Sequence, residues 1–165
     1  LITWFHQEFR LTHTIIRKEK PAHEDILAIA APLQQFNLKA GPPIGHLLVT
    51  LQILDLEAKV VGGLFGQIAY DWLHIEYLIV PETLRHTGLG STLMLQAEQI
   101  ASERNCVGIY LDTLAFQALP FYEKLGYTLF GKLEDHPRGS THYFLQKRFA
   151  PAPRRSVPAA RRIAP

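Results

Sequence analysis

The sequence predicts a single α/β domain with strands before and after a central strand–helix–strand unit. Three observations predict it. An apolar strand pattern ending at Val80 leads through a glycine-bearing turn into an amphipathic stretch starting near Ser91. A further strand pattern, Val107 to Thr113, follows that helix. The chain has 165 residues, 47% hydrophobic and 19% charged, enough for one soluble domain with a real core.

The elements follow in order. Phe9 to Lys18 alternates as a first strand does. Residues 22–38 set Ile26, Ile29, Ala30, Leu33 and Phe36 on one helical stripe, and Pro32 within it predicts a kink or two short helices. Gly41-Pro42-Pro43 marks a break. His46 to Leu54 and Lys59 to Ala69 read as a hairpin, with a bulge expected at Gly62-Gly63. In the strand at 72–80 the odd positions Leu73, Ile75, Tyr77 and Ile79 are large and apolar, which assigns them to the core. The even positions form a mixed face. The helix beyond carries Leu93, Ala97, Ile100 and Ala101 on one side and Gln96, Gln99 and Glu103 on the other. Residues 116–125 read as a helix ended by Gly126. A final strand pair is expected at 127–133 and 141–148.

Charge and cysteine content narrow the function classes. Four of the seventeen basic residues (Arg154, Arg155, Arg161, Arg162) lie in 150–165, which has no acid; the rest carries 13 basic and 15 acidic groups, a balance of −2. The basic excess belongs to a Pro/Ala/Arg tail at 150–165, expected not to fold, so the domain is placed at 1–149. Outside the tail there is no basic stripe, which disfavours a nucleic-acid module. The single cysteine, Cys106, excludes an intramolecular disulfide and a cysteine metal cluster, and makes a reducing cytoplasm the default. No apolar run reaches the length of a membrane span. Trp4, His6, Gln7, Glu8 and Arg10 interrupt any signal-like region, and the missing initial Met suggests a trimmed or partial chain.

The turn reads Leu84-Arg85-His86-Thr87-Gly88-Leu89-Gly90-Ser91. Gly88 and Gly90 let the backbone turn tightly and present its N–H groups outward. At a helix N-terminus, unpaired donors and the helix dipole favour an anion, which suggests a pyrophosphate cradle. The spacing is R-x-x-G-x-G, not G-x-G-x-x-G, and no G-x-x-x-x-G-K-[ST] occurs. About thirty residues downstream the chain reads Tyr110-Leu-Asp-Thr-Leu-Ala-Phe-Gln-Ala-Leu-Pro-Phe-Tyr-Glu-Lys-Leu-Gly-Tyr127. In this order and at this separation, the two stretches resemble the GCN5-related N-acetyltransferase (GNAT) family, from about Val60 to Arg148.

The resemblance implies a GNAT-type acyl-CoA N-acyltransferase fold, a mixed sheet flanked by helices, in which two neighbouring parallel strands splay apart around the pantetheine arm. Here these would be 72–80 and 107–113. Backbone groups of Leu78 and Val80, with Ile79 between them, would pair with the pantetheine amides as an added strand does. Arg85, His86, Thr87, Gly88, Leu89, Gly90 and Ser91 would hold the pyrophosphate. Arg85 adds a charge-assisted contact or braces the loop. His86 and Thr87 depart from the usual small or basic residues, but backbone donors do not depend on side chains. Many members carry an Asn seven residues before the tyrosine; Ala115 stands there, so its contact is either absent or replaced by Thr113 or Phe116. The alanine four residues before the tyrosine is kept as Ala118.

The implied chemistry needs a neutral amine, a stabilised oxyanion and a proton for the leaving thiolate. The family stabilises the oxyanion with a strand N–H, here that of Leu78. The leaving-group acid in many members is the Tyr of the "FY" pair, here Tyr122, whose ordinary pKa near 10 suits a thiolate; alternatively Tyr122 only packs against the cofactor. The base is often a Glu on the strand acting through water. Glu76 fits that place, two residues before Leu78 and expected on the same face. His74, one step further along it, is the alternative with the better ordinary pKa. Asp112 could bind a cationic amine or cap the next helix.

Glu134-Asp135-His136-Pro137-Arg138-Gly139 holds an acid and a histidine, but Pro and Gly between two strands make it a turn rather than a metal site. It could wall the acceptor pocket. Cys106 reads as packing. The resemblance thus implies transfer of an acetyl group from acetyl-CoA directly to a primary amine of a small molecule or a protein, with no covalent enzyme intermediate and no metal. The alternative is a catalytically weak acyl-CoA-binding sensor. The partners are acetyl-CoA and the amine, and dimers are common in the family. The acceptor would be set by about 20–45 and 130–145.

Overall fold

The computed structural model describes residues 15–149. The expected first strand lies mostly outside these residues, and its described part, 15–18, is not strand. The tail from 150 onward also lies outside them. Two units divide between Lys39 and Ala40.

In the first unit, helix α1 spans His23–Ala40. The Asp25 carboxylate accepts the Ala22 N–H at 2.7 Å, closing the helix start, and pairs with Lys18. Those two partners hold the Asp25 carboxyl below its usual range. Pro32 sits inside one continuous helix, where two short ones were an expected outcome. The proline deletes a single N–H, and the bonds of the flanking turns keep the element whole.

The second unit is a six-stranded sheet, with β1 Leu47–Leu54, β2 Val60–Ala69, β3 Trp72–Ile79, β4 Gly108–Leu114, β5 Thr128–Glu134 and β6 Thr141–Arg148. Their order is β1-β2-β3-β4-β6-β5. Among the described strands, only β3 and β4 run parallel, and every other pair is antiparallel. Between β3 and β4 lie a 3-10 turn, Glu82–Leu84, and helix α2, Leu89–Glu103. Helix α3, Leu119–Lys124, links β4 to β5. It starts later than the helix expected at 116–125. Pro120 is the reason: without an N–H it fits only the first turn of a helix.

The core lies between α2 and the sheet. Leu93, Met94, Ala97 and Ala101 of α2 are buried, as are Leu73, Ile75, Ile109, Leu111 and Leu145 on the strands. Lys147 of β6 reaches Glu98 of α2 at 2.7 Å and the Leu125 carbonyl at 2.9 Å, tying β6 to the helical layer. Cys106 is buried, and burial beside Asp71 pushes its thiol pKa up.

Among the described residues, three bulges interrupt the sheet; the one in β5 leaves Phe130 unpaired between Leu129↔Leu145 and Gly131↔Phe144, and the other two bear on the strands around β3. Ile53 pairs with Gly62 and Leu54 with Val60, which leaves Val61 unpaired beside the expected Gly62-Gly63 site. Phe65 pairs with Tyr77 and Gly66 with Ile75, so Glu76 is the extra residue of β3. The bulge at Glu76 was not expected, and it corrects the predicted core face. Leu73 and Ile75 are buried, but Tyr77 is 63% and Ile79 60% exposed. Leu78 and Val80 pack against the core instead. An unpaired residue shifts the two-residue alternation by one, so the strand turns its other side inward past Glu76.

Candidate active site

The parallel pair opens partway along. β3 and β4 pair from Trp72↔Gly108 to Ile75↔Leu111 and no further, although β3 continues to Ile79 and β4 to Leu114. Past Ile75 the two facing strand edges no longer satisfy each other. Backbone N–H and C=O groups on such an edge seek partners, and an extended polar chain laid between them supplies them. Gly62 of β2 comes close to this end of β3: a Cβ there would lie 2.6 Å from the Ile79 carbonyl oxygen.

The loop beyond β3 leads to the start of α2. The Thr87 hydroxyl donates to the Leu84 carbonyl at 2.7 Å and holds the turn. His86 and Gly88 both take positive φ, 64° and 91°. Gly88 is the N-cap residue of α2, and no side chain caps the helix. No acidic residue lies in the first turn. Among the described residues, no side chain caps these first N–H groups of α2, and a Cβ on Gly88 would meet nothing within 4 Å. Arg85 is exposed, and Leu89, Gly90 and Ser91 are partly buried. A Cβ on Gly90 would lie 3.2 Å from Phe121 and 3.7 Å from Val80, so the loop, the end of β3 and α3 meet here.

Tyr122 on α3 is buried, with its ring edge-on to Phe121 at 5.0 Å and to Tyr127 at 6.1 Å. Burial, aided by the negative charge of Asp112, pushes its phenol up to about 12. Thr113 is buried too, but its hydroxyl is engaged locally. It donates to Gln117 Oε1 at 3.2 Å and accepts the Ala118 N–H at 3.4 Å. Gln117 Oε1 also accepts the Leu114 N–H at 2.8 Å, closing the turn before α3. Ala115 and Phe116 lie exposed in that turn.

Two polar chains stand on the sheet face away from α2. In the first, His46 contacts Gln67 Oε1 at 3.1 Å, and Gln67 Nε2 donates to the carboxylate of the bulged Glu76 at 2.6 Å. In the second, the Asp112 carboxylate is flanked by His74 Nε2 at 3.6 Å and His142 Nε2 at 2.6 Å. His142 Nδ1 meets His136 Nδ1 at 2.9 Å. A carboxylate oxygen accepts, so the Asp112–His142 bond runs from the His142 Nε2–H, while the direction of the His142–His136 bond is set by the two tautomers. The His74 ring lies flat on Tyr110, 4.4 Å away and 3° from parallel. Burial and the charges of Glu76 and Asp112 raise the Tyr110 phenol, as expected for two carboxylates close by.

Residues 135–140 form a turn, closed by His136 N–H to the Ser140 carbonyl at 3.1 Å and Gly139 N–H to Asp135 Oδ1 at 3.0 Å. The structure thus gathers Glu76, His74 and Asp112 near one place, brings in His136 from the turn expected to wall the acceptor pocket, and adds His142, Tyr110 and Gln67, to which the sequence reading gave no role. The signal that could have found His142 is parity. It shares alternate positions with Phe144 and Gln146, opposite Leu114, Asp112 and Tyr110. That pairing register cannot be read from the chain alone.

Known proteins share this chain's sequence pattern and fold. The family model "Acetyltransferase (GNAT) family" matches residues 5–127. An acetyltransferase of Agrobacterium fabrum is 36% identical over 74% of this chain and 89% of its own length. The blasticidin-S acetyltransferase of Streptomyces morookaense is 40% identical over 54% of this chain and 66% of its own. The crystal structure of an acetyltransferase from Bacillus cereus superposes with a TM-score of 0.74 at 35% identity, covering 81% of this chain and 98% of that one. Among the described residues, no helix is long and apolar enough to cross a membrane.

Proposed function

This chain belongs to the GNAT acetyltransferase family, and from that premise we propose that it moves an acetyl group from acetyl-CoA to a primary amine by direct attack. The observation that carries the proposal is the uncapped start of α2 behind Gly88, set beside the place where β3 and β4 part. Free N–H groups and a helix dipole suit a pyrophosphate, and an open strand edge suits the amide-bearing pantetheine arm. The residues therefore fit this cosubstrate. Arg85 to Ser91 would hold its pyrophosphate, and Leu78, Ile79 and Val80 would line its arm. Acetyl-CoA, when bound, supplies the acyl group as an activated thioester.

The chain's own groups are assigned as follows. Glu76 takes the amine's proton through water, with Gln67 holding its carboxylate in place. The backbone N–H of Leu78 faces the acyl oxygen as charge builds on it. Tyr122 gives a proton to the departing sulfur. With its pKa near 12, it stays protonated through any working pH. Thr113 braces the turn before α3 and in this way supports the position of Tyr122. The name of the Streptomyces relative favours a small-molecule amine as acceptor.

Calorimetry of acetyl-CoA binding to the native chain and to Gly88→Trp is the test, followed by turnover on an amine panel that includes blasticidin S. Binding by the native chain, lost in a folded variant, supports the proposal. No binding by the native chain overturns it.

A further inference from the structure

We propose that Asp112 seats the ammonium group of the acceptor and that His142, backed by His136, is the positioning residue that fixes it there; this deepens the acetyltransferase reading and rests on it. Asp112 stands where the parallel pairing ends. It is the first β4 residue past the last pair with β3, so it lies at the mouth of the opening, with its side chain 41% exposed. Phe144 of β6 faces it directly, and His142, two residues away, is its diagonal neighbour on the same face.

Through that diagonal, His142 occupies one carboxylate oxygen, Oδ2, at 2.6 Å. A carboxylate held by one oxygen has the other aimed. Here Oδ1 points toward His74 Nε2 across 3.6 Å, too far for a hydrogen bond and wide enough for a small donor to join both. His136 engages the far nitrogen of His142, so the ring cannot turn without breaking two contacts. Tyr110 fixes the plane of His74 by stacking. Among the described residues, the basic side chains within 4 Å of the Asp112 carboxylate are these two histidines and no Lys or Arg, so no permanent cation is paired with it. An alkylammonium brings three donors and one positive charge.

The face beside this seat describes the rest of the acceptor. A groove of about 400 Å³, lined by Ala69, Tyr70, Trp72, Tyr110, Phe130 and Gln146, shares Tyr110 with the His74 stack. An aromatic floor next to a carboxylate fits a primary amine carried on a planar or apolar body. The four side chains link in sequence and, among the described residues, do not converge as metal ligands would.

The test uses the full chain labelled with ¹⁵N-histidine, coenzyme A as the companion ligand and benzylamine as the probe. The expected spectrum shows His142 in the Nε2–H form, and benzylamine moves the His74 and His142 resonances. D112N should weaken benzylamine binding at least tenfold. H142Q, which can still donate to Asp112, should weaken it less than H142A. Coenzyme A affinity, measured by calorimetry on the same samples, should stay constant. An Nδ1–H form of His142, unmoved histidine resonances, or equal benzylamine affinity in D112N each overturns the seat. Failure of the native chain to bind coenzyme A would instead sink the acetyltransferase reading, while the histidine spectra still judge Asp112 and His142.

Discussion

The two sides of the opening between β3 and β4 are built from different materials. On the α2 side the contacts on offer are main-chain: free N–H groups behind Gly88 and an unpaired strand edge up to Ile79. On the β6 side they are side-chain: Asp112 and histidines drawn from β3, β6 and the β5–β6 turn. A backbone site tolerates changes of side chain and depends on glycine and on pairing. A side-chain site tolerates changes of loop sequence and depends on a few identities. One chain can thus keep a constant donor grip while its acceptor preference is set elsewhere.

Substitutions can break this contrast, beginning with the largest expected effect. Gly88→Trp should weaken acetyl-CoA binding about a thousandfold in calorimetry, because two charge-assisted backbone contacts at ~2 kcal/mol each are lost. Gly88→Trp should leave benzylamine binding on the far side intact. Tyr122→Phe should lower kcat about a hundredfold in steady-state assays while acetyl-CoA affinity changes little. The same variant has a stability signature. The folded phenol, near 12, lies above its ordinary value of 10, so its contribution is full below pH 10 and fades as pH rises toward 12. Over that window the native protein should lose about 3 kcal/mol more than Tyr122→Phe in denaturant titrations.

Glu76→Gln sharpens the contrast from the acceptor side. It should cut kcat/KM about thirtyfold near neutral pH, with the deficit closing as pH approaches the amine's own pKa. Thr113→Val tests whether that residue grips the cofactor or braces the fold. The bracing role predicts a loss of about 1 kcal/mol in chemical denaturation with acetyl-CoA affinity unchanged.

The same division explains how much the sequence revealed. The Arg85 to Ser91 turn was legible because a contiguous backbone site leaves a contiguous trace: strand, two glycines, helix start. The parting of 72–80 from 107–113 came from family resemblance, and the pairing limits agree with it. The Asp112–His142–His136 chain was not legible, since it joins residues 30 and 6 positions apart through a register that only the folded sheet defines. The inward side of β3 was misread for a related reason. Uninterrupted alternation of Leu73, Ile75, Tyr77 and Ile79 imitates one face, and nothing local announces that Glu76 is left unpaired. Helix α3 was misplaced although Pro120 marked its start, because the apolar run before it looks equally helical.

That unpaired Glu76 makes β3 two strands of opposite sidedness fused end to end. Upstream of it, changes at odd positions strike the core; downstream, changes at even positions do. A one-residue deletion in the strand would remove the switch rather than a side chain. It would exchange inward and outward roles over the whole segment that borders the opening. Insertions and deletions in β3 are therefore a far narrower route for this chain to change than substitutions at Tyr77 or Ile79, whose side chains face outward and leave the buried core beneath them in place.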